Sequence, residues 1–210
     1  MQNSRTFACF NQDPFNALYP NLQLIESTVA REECRALYHV ARNLDVPGVI
    51  VEIGSYMGRS TCALGYGGAN TKRKVYAVDH HQGDVMSGHV NNQLSGFYYN
   101  LGVNNMRGTV FPVVMDSLAA AHGWPPDRRV ALLFIDGLHT EEQCMADFRA
   151  WQPHLAERAW VLFHDYADYN EYGVCEVVDA LVIDGTLEQP GVVRTLAVTR
   201  LRKKDLHQKA

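Results

Sequence analysis

Two apolar runs in the sequence stop at ionisable residues. VALLFIDGLHT, residues 130–140, delivers Asp136 and His139, and WVLFHDY, residues 160–166, delivers His164 and Asp165. An unpaired buried carboxylate costs several kcal/mol, so these endings mark an open site rather than a continuing core. If the two runs are neighbouring strands, roughly 4.8 Å apart, the four side chains converge at one rim. A divalent cation there would neutralise both carboxylates and lower the pKa of a bound hydroxyl, leaving a histidine able to take the proton near neutral pH. Asp136 and Asp165 are the expected metal ligands, His139 the general base acting beside Asp136, and His164 a third ligand or an orienting group. A hydrogen-bonded cluster without metal is the competing arrangement. Carboxylates favour magnesium or manganese, whereas two histidines with a carboxylate favour zinc, iron or another transition ion.

Strands and helices alternate around these residues. VIVEIG precedes GRSTCALGYGGA, VYAVD precedes QLSGFYYNLGV, and VFPVV precedes DSLAAAHGW. VALLFID then precedes TEEQCMADFRAWQPHL, WVLFHD precedes YGVCEVVDALVI, and VVRTLAVTRL ends the series as a last strand. Strands rich in Val, Ile, Leu and Phe without polar alternation are buried on both faces. The pattern predicts an α/β fold, a doubly wound, mostly parallel sheet with helices on both faces. Thr140 and Gln143 fit a capping box, which places His139 just before a helix. An earlier helix, REECRALYHVARNL, puts Cys34, Leu37, Ala41 and Leu44 on one face and His39 toward solvent. Residues 1–27, with Pro14 and Pro20, read as an irregular arm, and residues 28–210 as one domain.

Composition narrows the function. With 210 residues, 47% of them hydrophobic, the chain can build one substantial core. A net charge of -4 gives no general attraction for nucleic acid or anionic membrane, and the tail LRKKDLHQKA is too short and mixed to change that. Cys9, Cys34, Cys62, Cys144 and Cys175 are odd in number and never form CxxC, which fits a reducing compartment. Cys62, Cys144 and Cys175 fall in helical segments and read as core fillers. The N-terminal stretch lacks the pattern of a signal peptide and no run is long enough to span a bilayer, so cytoplasmic residence is expected. Homo-oligomerisation is compatible with the sequence.

Open α/β sheets bind ligands beyond the carboxyl ends of their strands. The first strand leads into EIGSYMGRST, where Gly54 and Gly58 would let a ligand approach the backbone and Ser60 falls near a helix start. The second ends at Asp79, where an acidic residue can accept from both hydroxyls of a ribose. Asp116 and Ser117 follow the third. This combination implies an adenosine-type ligand, although Glu52 could form a local salt bridge and Asp116 could cap a helix.

Here the sequence resembles the class I S-adenosylmethionine-dependent methyltransferases, through VEIGSYMGRST, VYAVDHH, VVMDSLAAA, LLFIDGLHTEEQCMADFRAW and WVLFHDYADYNEYGV. The resemblance implies a Rossmann-like fold with S-adenosylmethionine as cofactor. Glu52, Gly54 and Ser55 would then line its methionine part, Asp79 its ribose, and Asp116 with Ser117 its adenine. It is closest to the metal-dependent O-methyltransferases that act on small molecules such as antibiotic sugars. In that subgroup, Asp136, His139 and Asp165 match a metal ligand, a base and a second ligand, while His164 stands where a carboxylate or amide is usual.

His80 belongs with the cofactor side, together with His81, and His89 lies in a candidate loop. Tyr166, Tyr169, Asn170, Tyr172 and Trp124 are candidate walls for a small-molecule acceptor. Two other readings stay open. One is a metal-dependent hydrolase or oxygenase, which leaves Asp79 and the glycine loop without a role. The other is a nonenzymatic nucleoside-binding module.

Overall fold

The computed structural model describes residues 13–83, 93–167 and 173–203. Two helices, α1 (Phe15–Leu22) and α2 (Arg31–Arg42), lead into β1 (Val49–Ile53), α3 (Arg59–Ala69), β2 (Val75–Val78) and α4 (Leu94–Val103). There follow β3 (Val110–Val113), α5 (Ser117–His122), β4 (Val130–Ile135), α6 (Glu141–Trp151), β5 (Leu155–Phe163) and α7 (Val174–Ile183). A hairpin, β6 (Gly191–Val193) with β7 (Leu196–Arg200), completes the sheet.

The seven strands run in the order β3-β2-β1-β4-β5-β7-β6. β1 to β5 are parallel, and β7 is antiparallel to its neighbours. The chain winds outward through β2 and β3, then returns to lay β4 on the other side of β1. That reversal opens a crevice at the strands' C-terminal ends. All six β4 residues are buried because helices cover both faces of the sheet. Leu132 and Phe134 join Leu37, Tyr38, Leu64 and Phe97 in one core layer, and Leu133 and Ile135 join Phe148, Trp151 and Val177 in the other. Burial on this scale stabilises by about 1.5–3 kcal/mol per large apolar side chain.

Several expectations need correction. Within the supposedly irregular arm, Phe15–Leu22 is helical despite Pro20. Phe15 and Leu22 are fully buried in the core, which offsets the roughly 3 kcal/mol cost of an internal proline. The predicted helix running to Leu155 stops at Trp151, since Pro153 enforces a 3-10 turn and β5 begins at Leu155. The single last strand is a hairpin turning at Arg194 and Thr195. His39 is tied to Asp13 at 2.9 Å instead of facing only water. Cys175 is half-exposed beside Glu176, unlike the buried Cys34, Cys62 and Cys144. Among the described residues, no helix is long and apolar enough to cross a membrane.

Candidate active site

A cleft of about 970 Å³ lies along the C-terminal strand ends. Its walls come from Ser27, Thr28 and Ala30 before α2, Gly54–Tyr56 after β1, Asp79 and His80 after β2, and Asp116 and Ser117 after β3. Asp136–Thr140 after β4, His164 and Asp165 after β5, and the hairpin tip Arg194–Thr195 complete it. Backbone hydrogen bonds set the tips in register: Gly54 donates to Val78, Asp136 to Ile53 and His164 to Ile135.

In the cofactor half, the carboxylates are largely engaged by the protein's own backbone. Asp79 Oδ2 accepts from the N–H groups of Ser55 (2.8 Å) and Tyr56 (2.9 Å), and Oδ1 accepts from His81 at 2.7 Å. A carboxylate has about four acceptor positions, so about one stays available on Asp79 instead of a fully open group. Asp116 Oδ1 accepts from Leu118 and Ala119 at 3.0 Å each, as the N-cap of α5. His80 is exposed on the cleft wall, whereas His81 is buried against Phe97 with a ring separation of 4.7 Å.

The two glycines serve close packing. Gly54 has φ +80°, and a Cβ there would lie 1.9 Å from the Asp136 carbonyl oxygen. Gly58, the left-handed N-cap of α3, would press a Cβ against the Phe97 ring at 3.0 Å. A side chain at either position would collide with neighbouring protein atoms, and Gly54 also lies on the cleft wall. Ser55 and Ser60 remain on the cleft wall. Glu52 is fully buried beneath it, accepting from the Thr61 hydroxyl, so it supports the loop. Burial pushes its carboxyl up to about 8, against the pull of Ser60 and Thr61.

The β4 and β5 tips bring four titratable groups into a ring. His139 Nε2 lies 3.4 Å from Asp136 Oδ1 and 3.0 Å from Asp165 Oδ2. His164 Nδ1 lies 3.1 Å from each of the same two oxygens. All four atoms fall within 4.8 Å of one another. The 3.1 Å separations of His164 Nδ1 from the two oxygens are those of donors each about 2.1 Å from one ion. His164 Nδ1 is buried and aligned for a hydrogen bond to neither carboxylate, so its position fits a ligand atom. Asp165 adopts a left-handed backbone, φ 57°, where the strand ends, a conformation that costs about 1–3 kcal/mol and recurs at functional sites.

The charges reinforce one another. Burial alone would lower the His139 and His164 pKa values, but the surrounding carboxylates outweigh it and both are raised, His164 strongly. The Asp136 carboxyl, which burial would raise, is held below its ordinary range by the two histidines. His139 is the more accessible imidazole, with its side chain 26% exposed against 3% for His164. Its backbone carbonyl accepts from Gly173 N–H at 3.0 Å, which anchors the loop to the start of α7.

Two site residues were not anticipated from the sequence. Glu33 reaches from α2 to His164 Nε2, 3.3 Å away, and is 2% exposed. Burial would raise its pKa, yet His164, Ala30 N–H and Thr195 hold it down at about 2. Asp147 on α6 accepts from Ser117 Oγ and, at 3.2 Å, from Gln143 Nε2; burial pushes its carboxyl up. Asp147 shares the helical face of Cys144, Phe148 and Trp151, and a carboxylate interrupting that apolar stripe was a readable signal. Glu33 gave none, because acidic residues are ordinary in a first helical turn.

Other expected walls lie elsewhere. Trp124 is buried against Tyr76 and Trp151, and the Tyr166 hydroxyl donates to Asp179 at 2.9 Å. His89, Tyr169, Asn170, Tyr172 and Cys9 lie outside the described residues. The Ser27–Thr28 wall is held from behind by Arg59, whose guanidinium donates to the backbone carbonyls of Ile25 and Val29, at 2.8 and 3.0 Å.

A family profile described as a methyltransferase domain matches residues 51–166, from within β1 to just beyond the end of β5. The O-methyltransferase NovP superposes with a TM-score of 0.72 at 16% identity, over 85% of this chain and 82% of that one. The O-methyltransferase TomG from Streptomyces achromogenes, involved in tomaymycin synthesis and solved with S-adenosylmethionine, gives a TM-score of 0.65 at 13% identity over 93% and 94%. An uncharacterized protein, y4gI of Sinorhizobium fredii, is 30% identical over 130 residues, 60% of this chain; the match spans only 14% of that relative's length. The profile match and the sheet order agree: the chain belongs to the class I S-adenosylmethionine-dependent methyltransferases.

Proposed function

We propose that this chain is an O-methyltransferase that methylates a hydroxyl of a small molecule with the help of a divalent ion and a histidine base. One observation carries the reading. The ring of Asp136, His139, His164 and Asp165 opens into the same cleft as the glycine loop and Asp79, where one acceptor could reach both.

S-adenosylmethionine supplies a methyl group on a cationic sulfur, and a bound divalent ion supplies Lewis acidity toward an acceptor oxygen. Asp136, Asp165 and His164 would hold the ion. With Asp136 and Asp165 turned to the ion, His139, at the accessible edge, would be free to take the hydroxyl proton and pass it to solvent. The neighbouring carboxylates stabilise the resulting imidazolium. Asp79 offers its remaining acceptor position to the ribose. Ser117, Gln143 and Asp147 offer donors and acceptors to a nucleobase edge. The hairpin tip and the Ser27–Thr28 wall bound the acceptor side.

The test is methyl transfer to a panel of sugars, phenols and other hydroxyl compounds, with metal added back to stripped protein. The expected result is transfer that chelator abolishes and a divalent ion restores. Full activity in excess chelator would exclude the metal role. Calorimetry showing no affinity for S-adenosylhomocysteine would exclude the cofactor assignment.

A further inference from the structure

Glu33 joins three parts of the molecule at one carboxylate. Oε2 accepts from Ala30 N–H at 2.7 Å, at the start of α2, and faces His164 Nε2 at 3.3 Å. Oε1 accepts from the Thr195 N–H at 3.0 Å and the Thr195 hydroxyl at 2.8 Å, at the hairpin tip. A carboxylate only accepts, so the His164 nitrogen that meets it carries a proton. The other nitrogen, Nδ1, is thereby directed at Asp136 and Asp165. Capping α2 requires only the Ala30 contact and explains neither the reach to His164 nor the second anchor on Thr195.

We propose that Glu33 is a positioning residue of the metal centre: it fixes the orientation and tautomer of His164 so that Nδ1 is the ligand atom, and this nitrogen donor turns the site toward iron, cobalt, nickel or zinc and away from magnesium. The inference rests on the metal-dependent reading above. Imidazole donors favour these ions over magnesium, which prefers an all-oxygen shell. A carboxylate behind a ligating histidine sets its ring orientation and raises its basicity, and loss of such a partner costs about 10–100-fold in metal affinity. Thr195 keeps Glu33 from rotating away, so the hairpin belongs to the support of the centre.

The test uses the full chain stripped of metal, titrated with Co²⁺ alone and with Mg²⁺ alone. Visible absorption reports the Co²⁺ ligand set, calorimetry measures both ions, and S-adenosylhomocysteine affinity serves as the check on folding. Wild type is expected to bind Co²⁺ more tightly than Mg²⁺. Glu33→Gln should weaken Co²⁺ by about 10–100-fold and shift its absorption bands, with S-adenosylhomocysteine affinity unchanged. In a His164→Asp background, which should favour Mg²⁺, adding Glu33→Gln should change Mg²⁺ affinity no further. Equal Co²⁺ affinity and identical spectra in wild type and Glu33→Gln would overturn the role of Glu33 and leave the metal reading standing. Wild type binding neither ion while keeping S-adenosylhomocysteine would overturn the metal reading, and this inference with it. Should Glu33→Gln lose S-adenosylhomocysteine, the milder Thr195→Val decides: a shifted Co²⁺ spectrum supports the proposal and an unchanged one overturns it.

Discussion

The two halves of the cleft use similar residues in opposite ways. After β2 and β3, Asp79 and Asp116 face backbone N–H groups, which engage most of the acceptor capacity of the first and cap a helix with the second. After β4 and β5, Asp136 and Asp165 face imidazoles, and the imidazoles face them in turn. In the first half the backbone holds the carboxylates and with them the shape of the loops. The second gathers carboxylates and imidazoles around a central point, as a cation site would. A carboxylate at a strand end is therefore an ambiguous signal until its partners are known.

Substitutions can break this contrast. Asp136→Ala, which opens the ring, should lower methyl transfer by about 10³-fold or more and abolish metal binding, with S-adenosylhomocysteine affinity nearly unchanged in calorimetry. His139→Gln should lower kcat by about 10²–10⁴-fold and flatten the pH dependence of kcat, with little change in KM. Asp79→Asn should act on the other half: cofactor affinity falls by about tenfold, the scale of one lost charge-assisted hydrogen bond, and metal affinity stays as it was. Equal loss of both affinities in any one of these variants would remove the division between the halves.

A further expected effect is on stability and not on the reaction. Glu52 titrates near 8 in the folded chain through burial, against an ordinary 4.5. Between those values the folded state binds a proton that the unfolded state does not. Stability of the cofactor-free protein should therefore fall as pH rises from about 4.5 to about 8, by at most ~1.4 kcal/mol per pH unit from this group. Denaturant midpoints measured across that range should show a flatter profile for Glu52→Gln.

The fold was legible because the pattern was strong. Unbroken apolar runs alternated with helical faces, and each run ended where its ladder ends. The segments misread were those where long-range packing overrides local signals: α1 forms around a proline because Phe15 and Leu22 are buried, and the last strand folds back on itself at Arg194. The ring of Asp136, His139, His164 and Asp165 was legible because its members lie three residues apart or adjacent, at the tips of two strands that pair. Glu33 was not, since it stands 131 positions from His164 and nothing in a single helical turn signals so distant a contact. For the glycines, sequence reveals the need for a missing Cβ without revealing that the Asp136 carbonyl and the Phe97 ring fill the space beside them.

Arg59 grips the strap before α2 through main-chain oxygens alone. Its hold is indifferent to which side chains the strap carries. Thr28 can thus be exchanged for larger, smaller or charged residues while the strap keeps its path, whereas the Ser27 hydroxyl also accepts from Val29 N–H at 3.1 Å. A library built at position 28 would change the cleft wall there and leave the strap's main-chain anchors on Arg59 in place.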